Sequence, residues 1–176
     1  MSTSFLEITL RPYKITDVDD FLRYAGDDRV TRFTRWNTFT SKEEALSYIT
    51  SYCIPHPYCR SICIDEGRRS IGFVIIMPRE GDDKCRADVG YALAAEYWGR
   101  GITTRAVKMA ICEGFREFPS LARMQALVEV GNKASQRVLE KLGFNKEGIL
   151  RKYTFNKGVV RDVVMYGLLS SDLVMP

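Results

Sequence analysis

No run of apolar residues in this 176-residue chain approaches the roughly 20 that a helix needs to cross a bilayer. The N-terminal segment MSTSFLEITLRP lacks the basic stretch followed by an apolar stretch that marks a secretory signal. We therefore expect a cytoplasmic protein that does not bind membranes. The number of cysteines is odd, at five, which favours reduced thiols over a disulfide framework.

Histidine is almost absent, since His56 is the single one in the chain. It lies in CIPHPYCRSIC, residues 53–63, where Cys53, Cys59 and Cys63 would complete a set of four soft zinc ligands. The spacing is irregular, two prolines interrupt it, and the last cysteine falls in SICID, which is typical of a strand. We therefore expect ordinary thiols, no metal site, and a histidine that faces solvent in a loop.

An excess of charge is also lacking, because 26 basic and 22 acidic residues leave a net charge of only +4. The basic residues are spread along the chain rather than gathered into a stripe interleaved with aromatic side chains, the pattern typical of nucleic-acid binding. We therefore expect no nucleic-acid partner. A mild positive charge fits an anionic cofactor or an acidic partner, or it is background.

The chain length and the 45% hydrophobic content fit one globular domain over residues 1–176. Hydrophobic periodicity and turn residues predict the order strand, two helices, three strands, helix, strand, helix and two strands. About seven strands and about four helices in this order indicate an α/β fold of the α+β kind, with one mixed sheet and helices on its faces.

Local signals predict several element boundaries. Thr16 is the expected N-cap of the first helix, and Ser41 with Glu44 forms a capping box before the second. Asn132 is the expected N-cap of a short helix that stops at Gly143. The final strands are predicted at Ile149–Phe155 and Val159–Leu169, joined by a hairpin turn at NKG.

The most distinctive segment is YWGRGITTRA, residues 97–106, where two glycines flank Arg100 and no acidic residue occurs. A helix that begins near Ile102 offers unpaired N–H groups and the positive end of a dipole. Glycines permit close backbone approach, so the segment suggests a phosphate seated at a helix N-terminus. It is neither a Walker sequence nor the dinucleotide fingerprint, which disfavours a nucleoside triphosphate or a nicotinamide cofactor. A diphosphate held by backbone N–H groups and a tight turn without a ligand remain the two interpretations.

Three motifs carry a resemblance to a known family: VGYALAAEYWGRGITTRA (89–106), NKASQRVLEKLGFNKEG (132–148) and RDVVMYGLL (161–169). From about residue 6 to 169 the chain resembles the GNAT superfamily of N-acetyltransferases. More narrowly, it is similar to the branch of bacterial ribosomal-protein N-terminal (alanine/serine) acetyltransferases. The resemblance implies a mostly antiparallel sheet splayed between strands 4 and 5. It also implies acetyl-CoA (coenzyme A) as co-substrate and no metal.

The resemblance implies roles for individual residues as well. The residues beside the pantetheine arm would be Tyr91, Ala92 and Leu93, and those around the pyrophosphate Gly99, Arg100, Gly101, Ile102, Thr103 and Thr104. Asn132 would hydrogen-bond to the pantetheine region, and the Ser135 hydroxyl would donate to the leaving thiolate. Many members of the superfamily use a tyrosine for this step, but Leu139 occupies its position here. Ser135 is therefore the expected catalytic residue.

The group that takes the proton of the attacking amine stays open at this stage. Asp88 and Glu129 are the carboxylates best placed by sequence. Water is the third candidate, because an α-amine, with an unperturbed pKa of about 7.7–8.0, needs less help than a lysine amine. Asp162 matches an acidic position of the third motif, where it shapes the acceptor site or pairs with an arginine.

The resemblance favours the α-amine of a peptide or protein N-terminus as the acceptor. Loops at about residues 27–40 and 155–158 would contact it, with Trp36 and Phe39 either lining a groove or belonging to the core. One alternative is a small amine, such as a polyamine, an aminoglycoside or an amino acid. The other is a non-catalytic coenzyme A sensor. The chain is expected to be a monomer or a homodimer.

Overall fold

The computed structural model describes residues 6–173, which form a seven-stranded sheet and five α-helices. The strands are β1 (Thr9–Pro12), β2 (Cys59–Ile64), β3 (Arg69–Pro78), β4 (Arg86–Leu93), β5 (Arg123–Glu129), β6 (Asn145–Asn156) and β7 (Val159–Leu169). The helices are α1 (Val18–Ala25), α2 (Asp28–Thr31), α3 (Lys42–Tyr48), α4 (Ile102–Glu117) and α5 (Lys133–Lys141). The strand order is β1-β2-β3-β4-β5-β7-β6, with β4 and β5 parallel. The predicted mixed, mostly antiparallel sheet is confirmed, and the short helix α2 adds to the predicted order.

The described chain divides into two compact units. The first comprises residues 6–75 and 91–109, and the second comprises residues 76–90 and 110–173. The residues expected to bind the pantetheine arm and the pyrophosphate belong to the first unit, whereas Asn132 and Ser135 belong to the second. Within residues 6–173, no helix combines the length and the apolar character that crossing a membrane requires.

In the first unit, the hydrophobic core packs the β2–β3 hairpin against the start of α4. Its buried members are Ile62, Ile64, Ile71, Leu93, Ile102 and Ala106. Burying a side chain of leucine or isoleucine size contributes about 1.5–3 kcal/mol. Gly72 lets β3 approach β4 closely, because a Cβ atom there would lie 2.4 Å from the Ala92 carbonyl oxygen. Close packing therefore fixes where β4 ends and where α4 begins.

In the second unit, β5 pairs with β7 in antiparallel register from Arg123↔Leu169 to Glu129↔Val163. The cross-strand partners Met124 and Leu168 are both buried. Helix α4 approaches this part of the sheet at Gly114, where a Cβ atom would lie 2.7 Å from the Met124 side chain. The register between β4 and β5 has three pairs, from Arg86↔Arg123 to Asp88↔Gln125.

The start of α3 follows the predicted capping box in part. The Ser41 hydroxyl accepts the Glu44 N–H at 3.2 Å, which confirms Ser41 as the N-cap. The strongest bonds of the Glu44 carboxylate are to Thr40, whose N–H and hydroxyl it accepts at 3.0 and 3.2 Å. The reciprocal bond therefore reaches one residue further back than the motif predicts.

The start of α1 differs from the prediction, because Thr16 does not cap it. A 3₁₀ turn, Ile15–Asp17, precedes the helix. The Asp17 carboxylate accepts the Lys14 N–H at 2.8 Å and two hydrogen bonds from the Arg11 guanidinium. Asp17 occupies the N-cap position of α1, but its carboxylate closes the preceding 3₁₀ turn and makes no side-chain bond to the N–H groups of the helix.

The last hairpin begins earlier than predicted, since β6 starts at Asn145 rather than at Ile149. Its turn is the predicted one. Lys157 and Gly158 have φ values of 49° and 76°, and Asn156 pairs with Val159. Positive φ at both central residues is typical of the type I′ turn, whose twist matches that of the flanking strands.

Candidate functional site

The loop between β4 and α4 is held in a left-handed conformation at both of its glycines. Gly99 has φ 75° and Gly101 has φ 71°, a region that residues with a Cβ atom rarely adopt. Both glycines are exposed, and a Cβ atom at either position would meet nothing within 4 Å. The backbone conformation, and not crowding, therefore requires glycine here, and the space beside the loop is open.

The backbone N–H groups around the two glycines, at residues 99–104, have no acceptor within the described protein. The first hydrogen bond of α4 runs from the Arg105 N–H to the Gly101 carbonyl at 3.1 Å. Across residues 6–173, no protein acceptor contacts the N–H groups of residues 99–104. The first turn of α4 also carries no acidic residue. Such a row of unpaired donors at a helix start fits a pyrophosphate.

Neighbouring contacts hold the loop in place without using the N–H groups of residues 99–104. The indole Nε1 of Trp98 donates to the Leu93 carbonyl at 2.8 Å, and the Ala94 N–H donates to the Ile71 carbonyl at 2.8 Å. The Arg100 guanidinium lies 5.6 Å from the centre of the Tyr97 ring. The loop is therefore preorganised, and this lowers the conformational entropy that the protein would lose on binding an anion.

The end of β4 places Tyr91, Ala92 and Leu93 directly before this loop. Ala92 and Leu93 are buried, at 8% and 4% exposure, whereas Tyr91 is half-buried. Because the side chains of Ala92 and Leu93 face the interior, only their backbone groups are available to an extended ligand. This arrangement fits the strand-like contact that the resemblance implies.

Helix α5 begins as predicted, because the Asn132 side-chain oxygen accepts the Ser135 N–H at 3.2 Å. This bond confirms Asn132 as the N-cap and fixes Ser135 in the first turn, where it is half-buried. Gly143, with φ 85°, follows the helix as its predicted stop. Leu139 is fully buried, so the position of the family's tyrosine is a core position in this chain.

Asp88 is fully engaged by other side chains of the second unit. Its Oδ2 accepts a hydrogen bond from Arg79 Nε at 2.7 Å, and Arg79 Nη2 also pairs with it. Its Oδ1 accepts a hydrogen bond from Gln125 Nε2 at 2.9 Å. A carboxylate with both oxygens occupied in this way serves the structure of the sheet and is a poor candidate for a general base.

Glu129 is also held by partners, in an arrangement that the sequence analysis missed. Its side chain is 12% exposed; Oε1 accepts a hydrogen bond from Asn156 Nδ2 at 2.5 Å, and Oε2 lies 3.6 Å from Arg161 Nε. Asn156 and Arg161 lie on β6 and β7, far from Glu129 in sequence. No local pattern could reveal this cluster, since it depends on the register of three strands.

Pairing with an arginine was one of the two expected roles of Asp162, but no arginine of residues 6–173 pairs with it. Its Oδ1 accepts the backbone N–H of Lys152 at 2.7 Å, and Lys152 has φ 49°. The carboxylate therefore stabilises an irregular segment of β6. This contact is compatible with the other expected role, shaping the acceptor region.

His56 does not face solvent freely, so that expectation is wrong. Its Nδ1 accepts the Tyr58 N–H at 3.1 Å, and its half-buried ring lies 5.5 Å from the Tyr52 ring. Burial lowers the pKa of His56, against a smaller opposing effect of the Tyr58 bond. His56 is therefore a neutral structural side chain at pH 7.

The cysteines are free thiols, with Cys53, Cys59 and Cys63 buried and Cys85 and Cys112 exposed. The pKa of the Cys53 thiol is raised, mainly by a hydrogen bond to Cys59 and to a smaller extent by burial. Within the described part of the chain, no three His, Cys, Asp or Glu side chains lie together as a metal site would require.

Trp36 and Phe39 pack with aromatic residues of the first unit. The Trp36 ring centre lies 5.6 Å from that of Phe39 and 6.1 Å from that of Phe73. Both rings also contact Phe21, which is fully buried, at 6.3 and 5.3 Å. These contacts favour the core interpretation over a free groove wall, although both side chains keep some exposure.

Comparison with known proteins gives a consistent result. A family profile described as an acetyltransferase (GNAT) domain matches residues 7–145. The chain is 34% identical over 180 residues to the uncharacterized N-acetyltransferase p20 of Bacillus licheniformis, with 98% of each chain covered. It is 33% identical over 79 residues to the spermidine N(1)-acetyltransferase of Escherichia coli strain K12, which covers 45% of this chain and 42% of that relative.

A solved structure extends the likeness to the fold. The ribosomal-protein-S5-alanine acetyltransferase of Vibrio fischeri superimposes with a TM-score of 0.75 and 25% identity, covering 98% of both chains. The family profile matches most of the residues, and the likeness to p20 spans nearly all of them. On these grounds the chain belongs to the GNAT acetyltransferase family and is an acetyl-CoA-dependent N-acetyltransferase.

Proposed function

We propose that this N-acetyltransferase acts on the α-amine at the N-terminus of a peptide or protein, by direct attack of the amine on the acetyl thioester in a ternary complex. The proposed binding of acetyl-CoA rests on the row of unpaired N–H groups at residues 99–104, which would bind the pyrophosphate. Tyr91, Ala92, Leu93 and Asn132 would contact the pantetheine arm. The whole chain would act as one catalytic domain in the cytoplasm.

The side chains of this protein would assist the transfer without forming a covalent bond to the acetyl group. The amine loses a proton to water, its nitrogen forms a bond to the carbonyl carbon, and the carbon–sulfur bond breaks. Ser135 would donate a hydrogen bond or a proton to the departing sulfur. No nucleophilic side chain is needed to carry the acetyl group.

The choice of an α-amine rests on the absence of a free base among the candidates. Asp88 and Glu129 are each held by two partners. A lysine amine, with a pKa of about 10.4, would need a strong base, whereas an α-amine at about 7.7–8.0 is already partly neutral near pH 7.5. The likeness to a ribosomal-protein-S5-alanine acetyltransferase over 98% of both chains supports the same choice.

The test is mass spectrometry after incubation with labelled acetyl-CoA. Peptides with a free N-terminal alanine or serine should be acetylated, at rates that rise with pH and level off near the α-amine pKa. The same peptides with a blocked N-terminus and a free lysine should be poor substrates. Binding of coenzyme A without acetylation of any acceptor would indicate a sensor instead of an enzyme.

A small amine is the second candidate, favoured by the partial likeness to a spermidine N(1)-acetyltransferase. That likeness covers less than half of either chain, so it weighs less than the full-length one. Faster acetylation of spermidine than of any peptide N-terminus would select this candidate and leave the transferase assignment intact.

A further inference from the structure

The distal part of the last hairpin carries much of the chain's net charge. Residues 151–162, which we call the basic hairpin, contain four basic residues and one acidic residue, a net charge of +3 where the whole chain has +4. The basic residues are Arg151, Lys152, Lys157 and Arg161. Net positive charge is therefore high in this segment, because only one acidic residue accompanies the four basic ones.

The basic hairpin is also unusually apolar for an exposed surface. Its exposed large hydrophobic side chains are Tyr153, Phe155, Val159 and Val160, at 50%, 70%, 49% and 43% exposure. Phe155 and Val160 are cross-strand partners, so they lie side by side. Val159, one residue before Val160 on β7, projects from the opposite face of the hairpin. Exposed apolar surface rimmed by charge is typical of an interaction site.

The protein itself holds this surface in shape. Pairing between β6 and β7 is irregular from Leu150↔Val163 to Thr154↔Arg161, so three residues of β6 face one residue of β7. The Lys152 N–H at the centre of this bulge donates to the Asp162 carboxylate at 2.7 Å. The acidic group of the basic hairpin is thus used internally to keep the bulge in place, which preorganises the surface.

We propose that the basic hairpin binds an acidic stretch of the acceptor polypeptide that follows the acetylated N-terminus. This inference rests on the proposed α-amine activity and narrows its substrates. Acidic side chains of the acceptor pair with the exposed Arg151, Lys152 and Lys157, whereas Arg161 already faces Glu129. Apolar side chains of the acceptor contact Phe155 and Val160, which share one face of the hairpin. A polyamine carries the wrong charge for this surface, since like charges repel.

A single-stranded nucleic acid would also meet positive charge here, but the apolar part of the surface fits it poorly. Nucleic acids bind by stacking bases on aromatic rings, whereas half of the exposed apolar side chains are valines. Valine contacts instead suit the aliphatic side chains of a polypeptide.

The experiment measures peptide binding directly, by fluorescence anisotropy with the full chain and C-terminally labelled peptides. All peptides share the same free N-terminal residues, followed by a run of glutamates, glutamines or lysines. We expect the glutamate peptide to bind about tenfold more tightly than the glutamine peptide, and the lysine peptide to bind weakest. The preference should shrink as salt is raised, because exposed charge pairs are screened beyond about 8 Å at physiological ionic strength.

The variant Lys152→Glu/Lys157→Glu should lose this preference and bind the lysine peptide better than the wild type does. Two exposed pairs change from attraction to repulsion, so we expect the affinity for the glutamate peptide to fall by at least about fourfold. The matched control is Lys84→Glu/Lys108→Glu, which alters the same net charge at two exposed lysines outside the hairpin. It should retain the preference.

The possible outcomes separate this proposal from the proposed function. Equal binding of the three peptides, or equal effects of the two double variants, would overturn the acidic-segment proposal even if every peptide is acetylated. Preferential binding without acetylation would leave the binding surface standing and contradict the α-amine activity. Tighter binding of a single-stranded oligonucleotide that displaces the glutamate peptide would overturn the choice of a polypeptide.

Discussion

Replacing Gly101 by glutamate places a carboxylate at the unpaired N–H row before α4. Because Gly101 has φ 71° and a Cβ atom added there would have no neighbour within 4 Å, the change costs backbone strain of about 1–2 kcal/mol and no clash. A carboxylate about 4 Å from a phosphate repels it by about 4 kcal/mol at an effective dielectric of about 20. We expect coenzyme A affinity to fall by about 2–4 kcal/mol, roughly 30- to 1,000-fold, in titration calorimetry.

Two controls separate charge, bulk and strain. Gly101→Gln has nearly the same bulk without the charge, so it should lose much less affinity. Gly81→Glu introduces the same side chain at another exposed glycine with positive φ and no neighbour within 4 Å, so it should lose similar stability and no affinity. Undiminished coenzyme A affinity in a folded Gly101→Glu protein would refute the placement of the pyrophosphate. An equal loss in Gly101→Gln would refute the electrostatic argument.

Two further predictions concern helix α5. Ser135→Ala should lower kcat by about tenfold to a hundredfold, the low end of general acid catalysis, while coenzyme A affinity stays nearly unchanged; equal single-turnover rates would return Ser135 to a purely structural role. Asn132→Ala should lower the free energy of unfolding by about 1 kcal/mol because the cap to the Ser135 N–H is lost, whereas Asn132→Asp should keep the cap and the stability. Equal stability of the alanine and aspartate variants in urea denaturation would show that the cap contributes little.

Short-range patterns predicted much of this molecule, because local physics decides those features. The glycine pair and the helix start at Ile102 follow from backbone conformation, and the Asn132 cap needs only a side chain three residues before an N–H. The failure at Thr16 has a different cause. Thr16 lies inside a 3₁₀ turn, which the Asp17 carboxylate closes on the Lys14 N–H while Arg11, on the preceding strand, holds that carboxylate.

Long-range features escaped the sequence analysis. Asp88 and Glu129 were equivalent as candidate bases until their partners on other elements were known. Pairing with an arginine was one expected role of Asp162, but the bulge in β6 brought the Lys152 N–H to it. Such contacts depend on register, and a shift of one residue moves every side chain to the other face of a sheet.

The position of β7 between β5 and β6 has a consequence for biogenesis. The antiparallel partner of β5 is β7, which is synthesised only after α5 and all of β6. The pairing of Arg123 with Leu169 therefore cannot form until the end of β7 has been made. During translation, β5 and α5 would therefore leave the ribosome before β7 is available. The edge of β5 that β7 later covers would still be unpaired at that stage. Long-range pairing of this kind folds slowly and exposes hydrophobic surface to aggregation. This half of the protein is therefore the part for which a nascent chain would depend most on chaperones.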